Sequence, residues 1–330
     1  MRTLLALALP SVLTLNLLAQ HIADEPEAGA LPSAAISPRW DLLSPVRVPP
    51  ARGYLAMAYD TASRNVVMFG GYNGHYLNDT WLFNGNSWLK VRSTVAPPPR
   101  SNGQIAYDAN THRIILFGGF DGIQYLRDTW LFDGNTRTWA QAAPAHSPPA
   151  VTGPMLFTDP DGNVDLYGGF DGNFYQLSTW RWNGTDWRRL HPATVPTARS
   201  SAAVGFNPVL KQIVLFGGLA DVNPVNTWTF DGTNWTQRSV SNEPPWVYGA
   251  SAAFDPKLQG VVMFGGGSGG ADHSSTWAWL GTRWRHLFPA QSPAPREGAG
   301  MAYDEAVGHI TLFGGQENGV YLNDTWKFTP

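Results

Sequence analysis

From residue 54 onward the chain alternates between two apolar patterns separated by polar turns. Segments with small or apolar residues at alternate positions, such as Tyr54–Tyr59 and Gly103–Tyr107, precede unbroken apolar runs, such as Val66–Phe69 and Ile213–Phe216. Alternation predicts a strand covered on one face, and an unbroken run predicts a strand covered on both. Each run ends in a glycine pair. A Thr-Trp pair follows, alternating to Phe83, Phe132, Trp182, Phe230, Trp279 or Phe328, and then a segment with a second tryptophan, at Trp88, Trp139, Trp187, Trp235 and Trp284. These four segments are designated strands a, b, c and d.

The unit occurs six times. Its glycine pairs fall at Gly70/Gly71, Gly118/Gly119, Gly168/Gly169, Gly217/Gly218, Gly265/Gly266 and Gly314/Gly315, in steps of 48, 50, 49, 48 and 49 residues. The Thr-Trp tryptophans keep step at Trp81, Trp130, Trp180, Trp228, Trp277 and Trp326. A period near fifty, built of short strands punctuated by glycine, predicts propeller blades. Asn84-Gly85, Asp133-Gly134, Asn183-Gly184 and Asp231-Gly232 are tight hairpin turns between c and d, and Leu280-Gly281 is a less favourable fifth copy. The last copy lacks its strand d, because the chain ends at Pro330, whereas Arg39-Trp40-Asp41 resembles Ser87-Trp88-Leu89. The expectation is an all-β, six-bladed propeller of twenty-four strands over residues 38–330. The segment around Trp40 would complete the last blade and close the ring, leaving no open blade edge.

Residues 1–20 break the pattern. Arg2 followed by the apolar run Leu4–Leu18, interrupted by Pro10 and Asn16, reads as a secretory signal peptide, too short and broken for a membrane span. Residues 21–37 carry no period and read as a flexible linker. The expected location is therefore extracytoplasmic, with no membrane span once the signal is cleaved. With 22 basic against 25 acidic residues, a net charge of −3 and no Lys/Arg run, nucleic acid is not an expected partner. The absence of cysteine excludes disulfides, thiolate metal sites and cysteine nucleophiles. No cofactor is expected, and the chain reads as a monomer.

The glycine doublet, the later aromatic pair and an arginine before strand a resemble the kelch-repeat family over about residues 38–330. That arginine is Arg52, Arg100, Arg199 and Arg296, replaced by Val151 and Val247 in two blades. The resemblance implies that the b–c and d–a loops surround the mouth of a central channel. The residues after the glycine pair (Tyr72, Phe120, Phe170, Leu219, Gly267, Gln316) and after the arginine position (Gly53, Ser101, Thr152, Ser200, Tyr248, Glu297) would then ring it. Copper-radical oxidases of this fold need a cysteine that is missing here, while secreted kelch-type sugar epimerases remain a catalytic alternative.

The twelve repeat tryptophans recur at fixed offsets and are expected to pack between blades. Asp79, Asp128 and Asp324, each before a Thr-Trp pair, are expected to be turn and strand-end hydrogen-bonders. Candidate ligand-binding residues are Tyr72, His75, Tyr76, Ser101, Phe120, Asp121, Tyr125, Phe170, Asp171, Phe174, Ser200, Tyr248, Asp272, His273, Glu297 and Tyr321. Aromatic rings beside a few polar groups suit a glycan or an extended peptide. The expected function is an exported, non-catalytic module that binds a protein, peptide or carbohydrate. The alternative is an exported carbohydrate isomerase or epimerase of sialic-acid-epimerase type, with Glu297 as the catalytic candidate. Asp159, Asp161, Asn163 and Asp165 space four oxygen ligands like a calcium loop, although the glycine is misplaced and the same residues make ordinary turns. No zinc site is expected.

Overall fold

The structure, a computed structural model, describes residues 37–222 and 224–330. The proposed signal peptide and nearly all of the linker lie outside the described residues. Within them the chain forms six four-stranded antiparallel sheets, with no helix. Blade 1 runs Ala56–Asp60, Asn65–Phe69, Thr80–Phe83 and Trp88–Lys90 as strands a to d, and blades 2 to 5 repeat that order. Blade 6 takes Gly300–Asp304, His309–Phe313 and Thr325–Thr329 from the C-terminal end of the chain and Arg39–Leu43 from its beginning. Trp40 stands opposite Phe328 in that last pair, so ring closure follows the expected register. Two additional two-residue ribbons, Gly267–Ser268 with Ala271–Asp272 and Gln316–Glu317 with Val320–Tyr321, bring the strand count from the expected twenty-four to 28.

Apolar strands b and c cannot bury both faces within one sheet, so the core is divided among the blade junctions. Six hydrophobic clusters result, one between each pair of neighbours. Trp40, Phe328 and Leu312 of blade 6 pack with Phe264 and Val262 of blade 5, and the other five junctions repeat that arrangement. The strand d tryptophans are buried in all six copies. Among the strand c tryptophans, Trp180 and Trp277 are only half-buried.

Three hydrogen-bond systems, each repeated at all six junctions, stitch the blades together. At the outside, the indole Nε1 of every strand d tryptophan donates to the threonine of the preceding blade's Thr-Trp pair. Trp88 reaches Thr325, Trp139 Thr80, Trp187 Thr129, Trp235 Thr179, Trp284 Thr227 and Trp40 Thr276, at 2.8–3.1 Å. Trp40 therefore makes the bond its five equivalents make, and its truncation to alanine is expected to cost about 3–5 kcal/mol.

Nearer the axis, the second glycine of each doublet donates its N–H to the carbonyl at the arginine position of the next blade, as Gly71 does to Arg100 at 2.9 Å and Gly119 to Val151 at 2.8 Å. The first glycine sits at φ of +65° to +74°. A Cβ at Gly70 would stand 2.8 Å from that same Arg100 carbonyl, so both conformation and contact demand glycine.

The a–b turns are closed by Asp60, Asp108, Asp159, Asn207, Asp255 and Asp304, whose side-chain oxygens accept the N–H two residues on. In four c–d turns Asn84, Asp133, Asn183 and Asp231 act in the same way. Leu280 lacks that acceptor, and its turn is held by its own N–H to the Arg283 carbonyl, with Gly281 at φ +92°.

Candidate functional site

The innermost stitch forms the mouth of the channel. Each residue that follows an arginine position pairs in an antiparallel bridge with the residue after its glycine doublet: Gly53 with Tyr72, Ser101 with Phe120, Thr152 with Phe170, Ser200 with Leu219, Tyr248 with Gly267 and Glu297 with Gln316. The twelve positions that the kelch resemblance placed at the mouth are thus joined in six pairs.

One residue further along, Tyr54, Asn102, Gly153, Ser201, Gly249 and Gly298 all have φ between +52° and +63°. Each donates its N–H to the carbonyl of its counterpart in the preceding blade, at 2.6–2.9 Å, and the sixth bond returns to the first. This closed circle uses every one of its own amides, so the mouth presents side chains to a ligand rather than unpaired backbone donors. Three glycines among six equivalent positions were the sequence signal for this left-handed ring.

Around the ring, aromatic side chains form an unbroken arc over blades 6, 1, 2 and 3. Successive ring centroids are 5.8 Å apart for Tyr321–Tyr72, 4.9 Å for Tyr72–Tyr76, 5.8 Å for Tyr76–Phe120 and 5.1 Å for Phe120–Tyr125. Tyr125–Phe170 at 6.1 Å and Phe170–Tyr175 at 4.9 Å complete it. The arc stops where Leu219 and Gly267 replace its aromatic residues. It encloses a hollow of about 330 Å³ lined by Tyr54, Tyr72, Tyr76, Ser101, Asn102, Phe120, Tyr125, Thr152 and Tyr321, none of them charged. Burial raises the Tyr54, Tyr76 and Tyr321 hydroxyls above the ordinary phenol range, so they act as neutral hydrogen-bonding groups.

Glu297 lies beside the arc, 5% exposed. Its Oε1 accepts from the Tyr54 hydroxyl and from Gln316 Nε2, both at 2.6 Å, while Oε2 has no hydrogen-bond partner among the described residues. Tyr248 stands close by, its hydroxyl raised by burial and by this carboxylate. Tyr248 also packs against Trp246, with ring centroids 5.7 Å apart.

The structure brings Tyr72, Tyr76, Ser101, Phe120, Tyr125 and Tyr321 of the sequence-derived candidates into one hollow. Tyr54, Asn102 and Thr152, which line it as well, were not among them. Phe170 continues the arc, and Ser200 is buried at the base of its bridge. Asp121 and Asp171 are loop builders, because the Oδ1 of each accepts from the amides two and three residues on, and Asp171 Oδ2 also accepts from Gln176. Their spacing beside aromatics arises from turn chemistry.

His75 is exposed and does not line the hollow. Phe174 is 72% exposed at a loop tip. Asp272 and His273 line a different hollow, of about 460 Å³, together with His286 and Phe288. There His273 Nε2 is bonded to Ser268, and Asp272 accepts from the Asn318 amide.

Three of the four calcium-loop side chains, Asp159, Asn163 and Asp165, are engaged in other ways, and Asp161 is exposed. Arg181 pairs with both Asp159 and Asp165, binding Asp165 through Nε and Nη2 at 2.8 Å, and Asn163 and the Asp161 amide donate to Asp159. The described residues contain no cluster of three or more His, Cys, Asp or Glu placed to hold a metal.

Asp79, Asp128 and Asp324 are more than turn residues. Each is bound by the guanidinium that precedes strand a of its blade, as Arg100 binds Asp128 with two bonds of 2.7 Å, and each also accepts from the Trp Nε1 two residues on. The same arginine reaches the first glycine's carbonyl, so its role is to fasten the blade.

Blades, stitches and mouth together define a closed six-bladed β-propeller with an aromatic-lined loop face. The family model described as the KLHDC2/KLHL20/DRC7 Kelch-repeats domain matches residues 37–218, more than half of the chain. The protein belongs to the kelch-repeat family. No curated protein matches the chain.

Proposed function

We propose that this chain is an exported, non-catalytic interaction module that holds an extended peptide or a glycan against the aromatic arc at the channel mouth. A kelch propeller is consistent with a protein-interaction role. The observation that carries the reading is the arc itself. Seven rings stand in successive contact, and five of them (Tyr72, Tyr76, Phe120, Tyr125 and Tyr321) line a hollow without a charged lining residue, a surface suited to stacking against sugar faces or apolar side chains. Export rests on the reading of residues 1–20 as a secretory signal peptide.

The test is a glycan and peptide array probed with the wild-type chain and with Tyr72→Ala/Phe120→Ala/Phe170→Ala. The triple variant is expected to lose the array signals, and unchanged signals would remove the arc as the site.

A second reading, a carbohydrate isomerase or epimerase, draws on the meeting of one carboxylate and two phenols at Glu297, Tyr54 and Tyr248. Turnover of a free sugar, abolished by Glu297→Gln, would establish it in place of the first.

A further inference from the structure

Sixfold repetition lets every surface position be compared with its equivalents. A groove of about 520 Å³ opens beside strand d of blade 1, with Arg47, Lys90, Arg92 and Arg137 around it and Trp81 and Leu89 among its lining. Three separate departures from the repeat assemble those cations. Lys90 and Arg92 stand two and four residues after Trp88, where blade 2 has Gln141 and Ala143 and blade 5 has His286 and Phe288; blade 3, with Arg189 and His191, is nearest in character.

Arg137 belongs to the c–d turn of blade 2, which is two residues longer than the turn from Asn84 to Trp88. It is held at φ +60°, with its N–H donating to the Asp133 carbonyl at 2.7 Å. Arg47 follows the closing strand, and its carbonyl accepts the Trp88 N–H at 3.2 Å. A chain of net charge −3 thus gathers four of its 22 basic side chains at one hollow.

These charges are not neutralised locally. The one ion pair they make among the described residues is Lys90 with Asp79 at 3.6 Å, and Asp79 is already bound by both terminal nitrogens of Arg52. We propose that this groove binds a small polyanion, a ligand bearing two or more carboxylate, phosphate or sulfate groups. Guanidinium forks match the paired oxygens of such groups, and four like charges around one hollow favour a multivalent anion over several monovalent ones. The volume falls within the range of small-molecule sites. The groove is distinct from the channel mouth and does not depend on the reading given above.

Calorimetric titration of the full chain with pyrophosphate, citrate, sulfate and neutral sucrose tests the proposal. Pyrophosphate or citrate is expected to bind, sucrose is not, and affinity is expected to fall as salt rises to about 0.15 M. The relative strength of the probes separates phosphate from carboxylate ligands. Arg92→Gln/Arg137→Gln, verified as folded by circular dichroism, is expected to bind about tenfold more weakly or worse, while Phe288→Ala at the equivalent place in blade 5 binds as wild type. Absence of binding by every anion at millimolar concentration in low salt overturns the proposal. Wild-type affinity in the double variant overturns it equally.

Discussion

Blades 2 and 3 are neighbours built on the same repeat, yet they fasten themselves in opposite ways. Blade 2 buries Arg100 and pairs it with Asp128, which holds the carboxyl below the ordinary range although burial pushes the other way. Blade 3 has Val151 at the arginine position, packed in an apolar cluster, and Ser178 where the aspartate would be. Blade 5 makes the same exchange with Val247 and Ser275. Within one chain, arginine and aspartate are therefore present together or absent together in five blades out of six. A buried guanidinium without its carboxylate is costly, whereas an apolar residue at the same place costs little. Blade 4 is the exception, with Arg199 facing Asn226.

The sharpest way to break the comparison is to leave one partner of the clamp alone. Asp128→Ala is expected to cost about 3–5 kcal/mol, because Arg100 remains buried with its charge unpaired. Converting the site to the blade 3 pattern, Arg100→Val/Asp128→Ser, is expected to restore most of that loss. Urea unfolding midpoints of Arg100→Val, Asp128→Ser and the double variant give the coupling directly. If the double variant were less stable than Asp128→Ala, the argument that the two residues go together for electrostatic reasons would fall.

Blade 3 has an ion pair of its own, placed elsewhere. Asp165 and Arg181 stand opposite each other on strands b and c, where blade 1 has Val67 opposite Leu82. Arg181→Leu alone is expected to cost about 3 kcal/mol, and Asp165→Val/Arg181→Leu to be neutral or stabilising. Asp159, the other carboxylate that Arg181 touches, keeps the Asn163 and amide donors.

The two kinds of pair also respond oppositely to pH. Burial pushes the Asp165 carboxyl up to about 7 against the pull of Arg181, so its protonated form is favoured by folding. That contribution is present below the unfolded value near 3.8 and is lost as pH rises towards 7. The clamp aspartates 79, 128 and 324 are lowered, so their stabilisation is present above 3.8 and is lost as acid protonates them below it. Thermal midpoints between pH 4 and 7 should therefore decline less in Asp165→Val/Arg181→Leu than in wild type. An unchanged slope would show that Asp165 does not titrate in this range.

The architecture was legible because its signals are local and repeated. Glycine pairs, Thr-Trp pairs and Asn-Gly turns recur at fixed offsets, and Trp40 was recognisable as the missing sixth member by comparison with Trp88. The stitches between blades were not legible. The threonine of each Thr-Trp pair looks like an ordinary strand residue until the next blade's indole is found on its hydroxyl. Arg100 and Asp128 are 28 residues apart, and nothing in either neighbourhood declares the other.

The site was legible in part. Aromatic residues after the glycine pairs could be expected at the mouth, but Asp121 and Asp171 were indistinguishable from ligand contacts, since the same side chain that closes a turn can also bind a sugar. The basic groove escaped because its four cations come from three distant stretches of chain.

Blade 4 offers a gain instead of a loss. Burial without a carboxylate pulls the Arg199 guanidinium down to about 10, and among the described residues its Nη2 finds only the neutral oxygens of Thr197 and Asn226. Asn226→Asp recreates the clamp of blade 2 and supplies the same acceptor to Trp228 Nε1. A stabilisation of about 1–2 kcal/mol is expected, read as a raised unfolding midpoint at neutral pH that disappears below pH 3.8. A midpoint that falls at neutral pH would mean that the second charge costs more to bury than the pair returns.

The smallest effect belongs to blade 5, where the comparison comes down to a single hydrogen bond. In blade 3 the Ser178 hydroxyl accepts from Trp180 Nε1 at 3.0 Å, and in blade 4 Asn226 accepts from Trp228 at 3.2 Å. Trp277 Nε1 is buried and has no partner among the described residues, although Ser275 holds the equivalent place. Its indole instead stacks on His286 at 4.3 Å and 11°. Ser275→Asn lengthens the side chain to the reach that serves blade 4 and adds no charge near Val247. A gain of about 1 kcal/mol is expected, the net worth of satisfying one buried donor. The check is the unfolding midpoint together with tryptophan fluorescence. An unshifted midpoint would show that the Trp277–His286 stack, and not the missing acceptor, sets the position of that ring.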